Sequence, residues 1–187
     1  MELRTVGDRL FWSYANLGMY HAAVSEGADR IESRHYLIRS RLWRQISKGG
    51  APRSLADDER LKLVLPQTCS YCGDRDRGSF TADHLIPRHR GGVDRGENLV
   101  WACRSCNSSK RDRDLLEWLA SQGQFPSILL LRRYLKLAIE IARERSLLER
   151  PIGDVTEELP FALDRVPLPG DFPPPGELRL WVIELPD

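Results

Sequence analysis

The sequence predicts an α+β fold in which a small strand–loop–strand–helix unit, closed by two cysteine pairs, lies among α-helices. Apolar residues recur at helical spacing before residue 48 and after residue 127. Two short runs with strand character, at 78–84 and 97–102, lie between these helical regions. One Cys-x-x-Cys pair precedes the first run and another follows the second. The strands are therefore enclosed by the cysteine pairs, and helices flank them on both sides.

Length and composition are those of a globular chain with one ordinary core. The 187 residues are 41% hydrophobic and 29% charged, which excludes a disordered or fibrous protein. Charged residues interrupt every segment that could span a membrane, and they also interrupt the N-terminus where a signal peptide needs an apolar stretch. We therefore expect a cytoplasmic protein without membrane contact.

The formal net charge of +1 hides an uneven distribution. Residues 1–150 hold 26 Lys and Arg against 19 Asp and Glu, whereas residues 151–187 hold 2 against 8. Arg accounts for 24 of the 28 cationic residues, and its planar guanidinium suits phosphate. Charge alone does not separate a phosphate-binding surface from solvated helix faces, and both interpretations stay open.

Four regions follow from the breaks in the sequence. They are an N-terminal helical region (1–65), a central core (66–115), C-terminal helices that pack on this core (116–150), and an acidic, proline-rich tail with a terminal strand (151–187). Two helices fit before Lys48, with a break near Glu26, and Ser54 caps a third that ends before Pro66.

The C-terminal part is predicted to hold two helices and one strand. A short helix covers Asp114–Ser121, and a long one runs from Ser127 to about Leu148. The apolar face of the long helix is broad, which indicates burial either in the core or against a second subunit or partner protein. The terminal strand covers Leu178–Ile183.

The two cysteine pairs have the spacing of metal knuckles. Cys69 and Cys72 form the first pair, and Cys103 and Cys106 form the second. Two disulfides or free thiols are the alternative, but such pairs can present four thiolates to one tetrahedral ion, and zinc favours that arrangement. We therefore predict a structural zinc ion on all four cysteines, with no open position for catalysis.

Short motifs lie in a fixed order in the central segment. They are Asp83-His84-Leu85-Ile86-Pro87, Gly91-Gly92, Glu97-Asn98-Leu99 and Cys103-x-x-Cys106-Asn107-x-x-Lys110. In order and spacing, about residues 66–115 resemble the HNH endonucleases, also called ββα-metal nucleases. The resemblance implies a zinc-clamped ββα-metal unit embedded among flanking helices, and an endonuclease that hydrolyses phosphodiester bonds in DNA.

The resemblance also implies a role for each motif residue. His84 would be the general base, Asn98 would brace the loop that aims it, and Asp83 and Asn107 would bind a catalytic Mg²⁺ or Mn²⁺. A hard cation with two protein ligands keeps positions open for water and phosphate. Neighbours on a regular strand point to opposite faces, so we expect the strand to twist or break at Asp83 and His84.

Basic residues near the motifs are predicted to contact the phosphate backbone. Lys110 and Arg111 share a helix face with Asn107, and Arg88 and Arg90 lie in the loop after the first strand. DNA is the expected substrate. The alternatives are a nuclease for RNA or branched structures, and a zinc-stabilised binding module without catalysis. The acidic tail would weaken DNA binding or dock a partner, unless its end pairs as an edge strand.

Overall fold

The computed structural model describes residues 2–50, 52, 67–75, 79–156 and 158–183. Its elements, in chain order, are α1 (Val6–Ser25), α2 (Ser33–Ile46), β1 (Phe80–His84), β2 (Leu99–Cys103), α3 (Arg104–Lys110), α4 (Leu115–Ser121) and α5 (Ile128–Glu144). A two-stranded sheet thus lies among helices, and the α+β prediction is confirmed. The helix predicted after Ser54 lies outside the described residues. None of the described helices is long and apolar enough to cross a membrane.

The core is built around α5, which is buried on nearly all sides. Its buried apolar residues are Ile128, Leu129, Leu130, Leu131, Tyr134, Leu135, Leu137, Ala138, Ile139, Ile141 and Ala142. Helix α1 packs against both α2 and α5. The broad apolar face of α5 is therefore buried in the core of the same chain, which is the first of the two interpretations of its sequence.

The central unit has the predicted order of strand, loop, strand and helix. Strands β1 and β2 are antiparallel, with Phe80 opposite Cys103 and His84 opposite Leu99. Residues 85–98 form the connecting loop, and α3 begins directly after β2. The second strand starts two residues later than predicted because the 3₁₀ turn Gly96–Asn98 precedes it.

The acidic segment packs on the helical body. Phe172 stacks on Tyr20 with ring centroids 4.5 Å apart, and Phe161 and Val166 are fully buried. Glu158 pairs with Arg90 at 3.0 Å. Residues 158–183 are therefore part of the fold, and a weakening of DNA binding by their negative charge stays a prediction.

The terminal strand predicted over Leu178–Ile183 is wrong, since Leu178 and Arg179 have no regular secondary structure and residues 180–183 form bends. The carbonyl oxygens of Arg179 and Leu180 instead accept hydrogen bonds from the backbone amides of Ile128 and Leu129, each at 3.0 Å. Both amides belong to the first turn of α5, where a helix offers no acceptor of its own. The segment therefore caps α5 and adds no strand to the sheet.

A buried hydrogen-bond chain joins α4, α5 and the C-terminal segment, residues 158–183. Asp114, the N-cap of α4, accepts hydrogen bonds from the Leu116 amide at 2.8 Å and from the Tyr134 hydroxyl at 2.7 Å. The Tyr134 oxygen in turn accepts one from the Ala162 amide at 3.0 Å. Burial raises the pKa of Asp114 from 3.8 to about 6, because the cost of desolvating the carboxylate exceeds the stabilisation from these hydrogen bonds.

Asp114 is expected to make the free energy of unfolding fall as the pH rises through about 6. A carboxyl group with a raised pKa in the folded state contributes stability below its unfolded pKa, and that contribution is lost above its folded pKa. Asp114→Asn keeps an acceptor at the N-cap but cannot ionise. The free energy of unfolding of the variant minus that of the wild type should therefore increase by on the order of 2 kcal/mol from about pH 4 to about pH 7.5. Urea unfolding at both pH values measures this gain, and a difference independent of pH would contradict it.

Candidate metal centre and active site

The four cysteines lie together at one end of the ββα unit. Their Sγ atoms are all within 4.8 Å of one another, and those of Cys72 and Cys103 are 3.9 Å apart. Tetrahedral zinc with Zn–S bonds of ~2.3 Å places sulfur atoms ~3.8 Å apart, whereas a disulfide requires ~2.0 Å. The cluster could therefore hold zinc, and its four thiolates would fill the coordination shell of the ion.

Local backbone structure presents these thiols. Gly73 closes the first knuckle with a φ of +77°, and its amide donates to the Cys69 carbonyl at 2.9 Å. Cys103 is the N-cap of α3, and its Sγ accepts from the Cys106 amide at 3.5 Å. Burial raises the pKa of the Cys72 and Cys106 thiols. At Cys103 burial is outweighed by hydrogen bonds, the first from the Cys106 amide, and its pKa is lowered.

Asp83 lies in β1 on the face that packs against α3. Its carboxylate pairs with the Nζ atom of Lys110 at 3.2 Å and accepts a hydrogen bond from the Tyr71 hydroxyl at 2.6 Å. Because Tyr71 stands between the two cysteines of the first knuckle, it connects the cysteine cluster directly to Asp83. The burial that lowers the pKa of Lys110 is opposed by the charge of Asp83.

The structure corrects the role predicted for Lys110. Its side chain is only 1% exposed, and its ammonium group donates to the His84 carbonyl at 2.6 Å as well as pairing with Asp83. Lys110 therefore faces β1 and cannot contact DNA from this position. Helical spacing correctly placed Lys110 on the same face of α3 as Asn107, but it did not show that β1 covers Lys110.

Arg90 is also withdrawn from solvent, so the phosphate contact predicted for it is wrong. Its side chain is 8% exposed and pairs with Glu117 at 2.7 Å and with Glu158 at 3.0 Å. These partners come from α4 and from the C-terminal segment. Arg88 and Arg111 are exposed, and a role in phosphate binding stays a prediction for both.

Asn107 lies in α3, one helical turn before Lys110. Its Nδ2 atom donates to the Thr81 Oγ1 atom at 2.7 Å. Thr81 and Asp83 share a face of β1, since strand residues two positions apart do so. Asp83 and Asn107 therefore border the same β1–α3 interface, and this hydrogen bond leaves the amide oxygen of Asn107 available as a ligand.

His84 ends β1 and projects to the other face of the strand. The expected twist or break is wrong, because Asp83 and His84 pair in regular register with Val100 and Leu99. The His84 side chain is 24% exposed, and its Nε2 atom lies 2.8 Å from the Oδ1 atom of Asp94. The strand end thus brings a buried carboxylate and a partly exposed imidazole next to each other on opposite faces.

Asn98 holds together the loop that follows His84. It is 1% exposed. Its Oδ1 atom accepts from the Ile86 amide at 2.9 Å, and Nδ2 donates to the carbonyls of Ile86 at 2.8 Å and Val93 at 2.9 Å. A Cβ at Gly92 would overlap the Ile86 carbonyl oxygen, so only glycine fits there. The Asn98 side chain thus hydrogen-bonds to backbone groups of the loop, as expected of a residue that braces it.

Comparison with known families agrees with this geometry. Residues 69–113 match the HNH endonuclease family. This range, the HNH segment, contains both cysteine pairs, both strands and α3, and the match indicates a nuclease-type function. Members of the family typically act on nucleic acid. Neither the curated proteins nor the solved structures contain a match to the chain.

Three residues that contact the site, two inside the HNH segment and one outside it, were not found from the sequence. Asp94 contacts His84 across a loop, and Tyr71 contacts Asp83 from the first knuckle. Arg133 of α5 donates to the carbonyls of Gly96 and Glu97 and so supports the loop from outside the segment. Asp94 has only a turn signal in the sequence, as it stands between glycines, and Arg133 follows the helical pattern of α5. No local pattern marks either as part of a site.

Proposed function

We propose that the protein is an endonuclease that hydrolyses phosphodiester bonds in DNA with the help of a divalent ion. His84 carries the proposal: it is a partly exposed imidazole at a strand end, held by a carboxylate at 2.8 Å. A neutral imidazole can take a proton from water and so act as a general base. The match of residues 69–113 to the HNH family supports this chemistry.

In this proposal His84 removes a proton from the attacking water. The oxygen of that water forms a bond to phosphorus, and the bond from phosphorus to the 3′ oxygen breaks. Asn98 keeps the loop after His84 in place, and the exposed Arg88 and Arg111 contact neighbouring phosphates. The cysteine cluster contributes structure only, since four thiolates leave zinc no open position.

The residues of the β1–α3 interface fit a hard divalent ion. Asp83 and Asn107 offer a carboxylate oxygen and an amide oxygen, which are the donors that Mg²⁺ and Mn²⁺ prefer. Asp83 is buried and pairs with the ammonium of Lys110 at 3.2 Å, so an ion bound there would share this carboxylate with that cation. Asp83 and Asn107 would hold the ion, which when bound supplies Lewis-acid stabilisation to the phosphoryl and leaving oxygens.

Plasmid cleavage tests the proposal. Zinc-loaded protein should nick supercoiled DNA when Mg²⁺ or Mn²⁺ is added and should not when both are omitted. Omission is preferable to EDTA, because EDTA also removes zinc. Branched DNA and RNA run in parallel establish the substrate class, and His84→Ala detects a contaminating nuclease. Binding without cleavage under every divalent ion would contradict the proposal and favour a zinc-stabilised binding module.

Lys110→Met is expected to lower stability by about 3–5 kcal/mol in the absence of Mg²⁺, because it leaves the buried Asp83 carboxylate without its cation. A divalent ion on Asp83 would replace part of that charge. The melting temperature of Lys110→Met should therefore rise with Mg²⁺, and that of Asp83→Ala/Lys110→Met should not. If Mg²⁺ and Mn²⁺ raise the melting temperature of neither Lys110→Met nor the wild type, Asp83 is not an ion ligand.

A further inference from the structure

We propose that Asp94 positions His84 and selects the tautomer of its imidazole in which Nδ1 is the proton acceptor. The inference rests on the proposed nuclease function and deepens it. It starts from the contact between the His84 Nε2 atom and the Asp94 Oδ1 atom at 2.8 Å. An ionised carboxylate only accepts hydrogen bonds, so Nε2 must carry the hydrogen. A neutral imidazole has one such hydrogen, and the lone pair therefore resides on Nδ1.

The same contact favours proton transfer. When Nδ1 takes a proton from water, the ring becomes an imidazolium, and a carboxylate on the opposite nitrogen stabilises that charge. The Oδ2 atom of Asp94 lies 4.0 Å from the Nη1 atom of Arg88, at the limit of an ion pair. Among the described residues, the imidazole of His84 is therefore the close partner of Asp94.

The loop backbone around Asp94 is held from several directions, although the side chain itself is 60% exposed. An exposed ion pair on a mobile loop would contribute little. Here the carbonyl of Val93, directly before Asp94, accepts from Asn98 at 2.9 Å. The carbonyl of Gly91 accepts from Arg145 at 3.2 Å, and that of Gly96 accepts from Arg133. Carbonyls on both sides of Asp94 are bound, so the carboxylate is presented from a fixed backbone.

A different role for Asp94 would give the opposite kinetic result. An exposed acid beside a DNA-binding site repels phosphate, and its removal would tighten binding and lower KM. A positioning residue acts on the chemical step, and its removal lowers kcat. The division between KM and kcat therefore separates the two roles.

Asp94→Ala is expected to lower kcat by about 10–100-fold, with KM and melting temperature nearly unchanged. Asp94→Asn, whose amide oxygen can still accept from Nε2, should lose less. Asp112→Ala is the matched control, since it removes one exposed carboxylate from the same segment. In the His84→Ala background, Asp94→Ala should cause no further loss. An active enzyme in which Asp94→Ala keeps the wild-type kcat overturns the inference.

Nitrogen NMR provides a second test that does not depend on activity. Long-range ¹H–¹⁵N spectra, with His84 assigned by comparison with His84→Ala, should show the Nε2–H tautomer in the wild type and a mixture of tautomers in Asp94→Ala. The same tautomer in both proteins would overturn the inference. If the wild type cleaves no nucleic acid, the proposed function fails, while the tautomer still decides whether Asp94 orients His84.

Discussion

His84→Ala is expected to reduce the rate of DNA cleavage by about 10²–10⁴-fold, the usual contribution of a general base, while leaving the fold and the DNA affinity nearly intact. The imidazole acts on water and adds little to the binding of substrate, so KM should change less than kcat. Its side chain is 24% exposed and bonds to a surface loop, so truncation opens no cavity in the core. Single-turnover cleavage, melting temperature and fluorescence anisotropy with labelled DNA measure the three quantities.

A matched histidine lies in the loop that follows His84. His89 is exposed in the 3₁₀ turn Arg88–Arg90, and His89→Ala should keep the wild-type rate. If His84→Ala retains more than about a tenth of the activity, well outside the range for a general base, His84 does not have this role. A large loss of activity in His89→Ala, together with an active His84→Ala, would indicate that His89 is the general base.

Cys103→Ala is expected to unfold the HNH segment. Structural zinc can supply on the order of 10 kcal/mol, which is comparable to the whole stability of a domain. Cys103 is fully buried, ends β2 and is the N-cap of α3, so the loss reaches both elements at once. We expect elemental analysis to find one zinc per wild-type chain, and circular dichroism of Cys103→Ala to show early melting or aggregation.

The control for this variant comes from the same knuckle. Ser105 is exposed between Cys103 and Cys106, and Ser105→Ala should bind zinc and melt as the wild type does. Folded wild-type protein without zinc would contradict the assignment of the cluster. Because Tyr71 connects the first knuckle to Asp83 at 2.6 Å, partial loss of zinc should also lower any cleavage activity before the chain unfolds.

Local sequence was sufficient for the elements whose signals are local. Apolar spacing and capping residues predicted α1, α2, α4 and α5 to within a few residues, because a helix depends on neighbours three and four positions away. Cys-x-x-Cys spacing predicted the cluster, because a tight turn brings both thiols of a pair to one side. The strand predicted over Leu178–Ile183 is wrong, because backbone carbonyls of this segment accept hydrogen bonds from the first turn of α5, which is distant in sequence.

The sequence by itself thus determined the ββα unit, the cysteine cluster and the identity of His84, Asn98 and Asn107 as candidate site residues. Only the tertiary structure decided which charges reach solvent. Lys110 and Arg90 are buried against carboxylates, and Asp94 meets His84 across a loop. Solvent exposure and the partner of a charged side chain depend on which elements pack together, and residue spacing along one element carries no record of that packing.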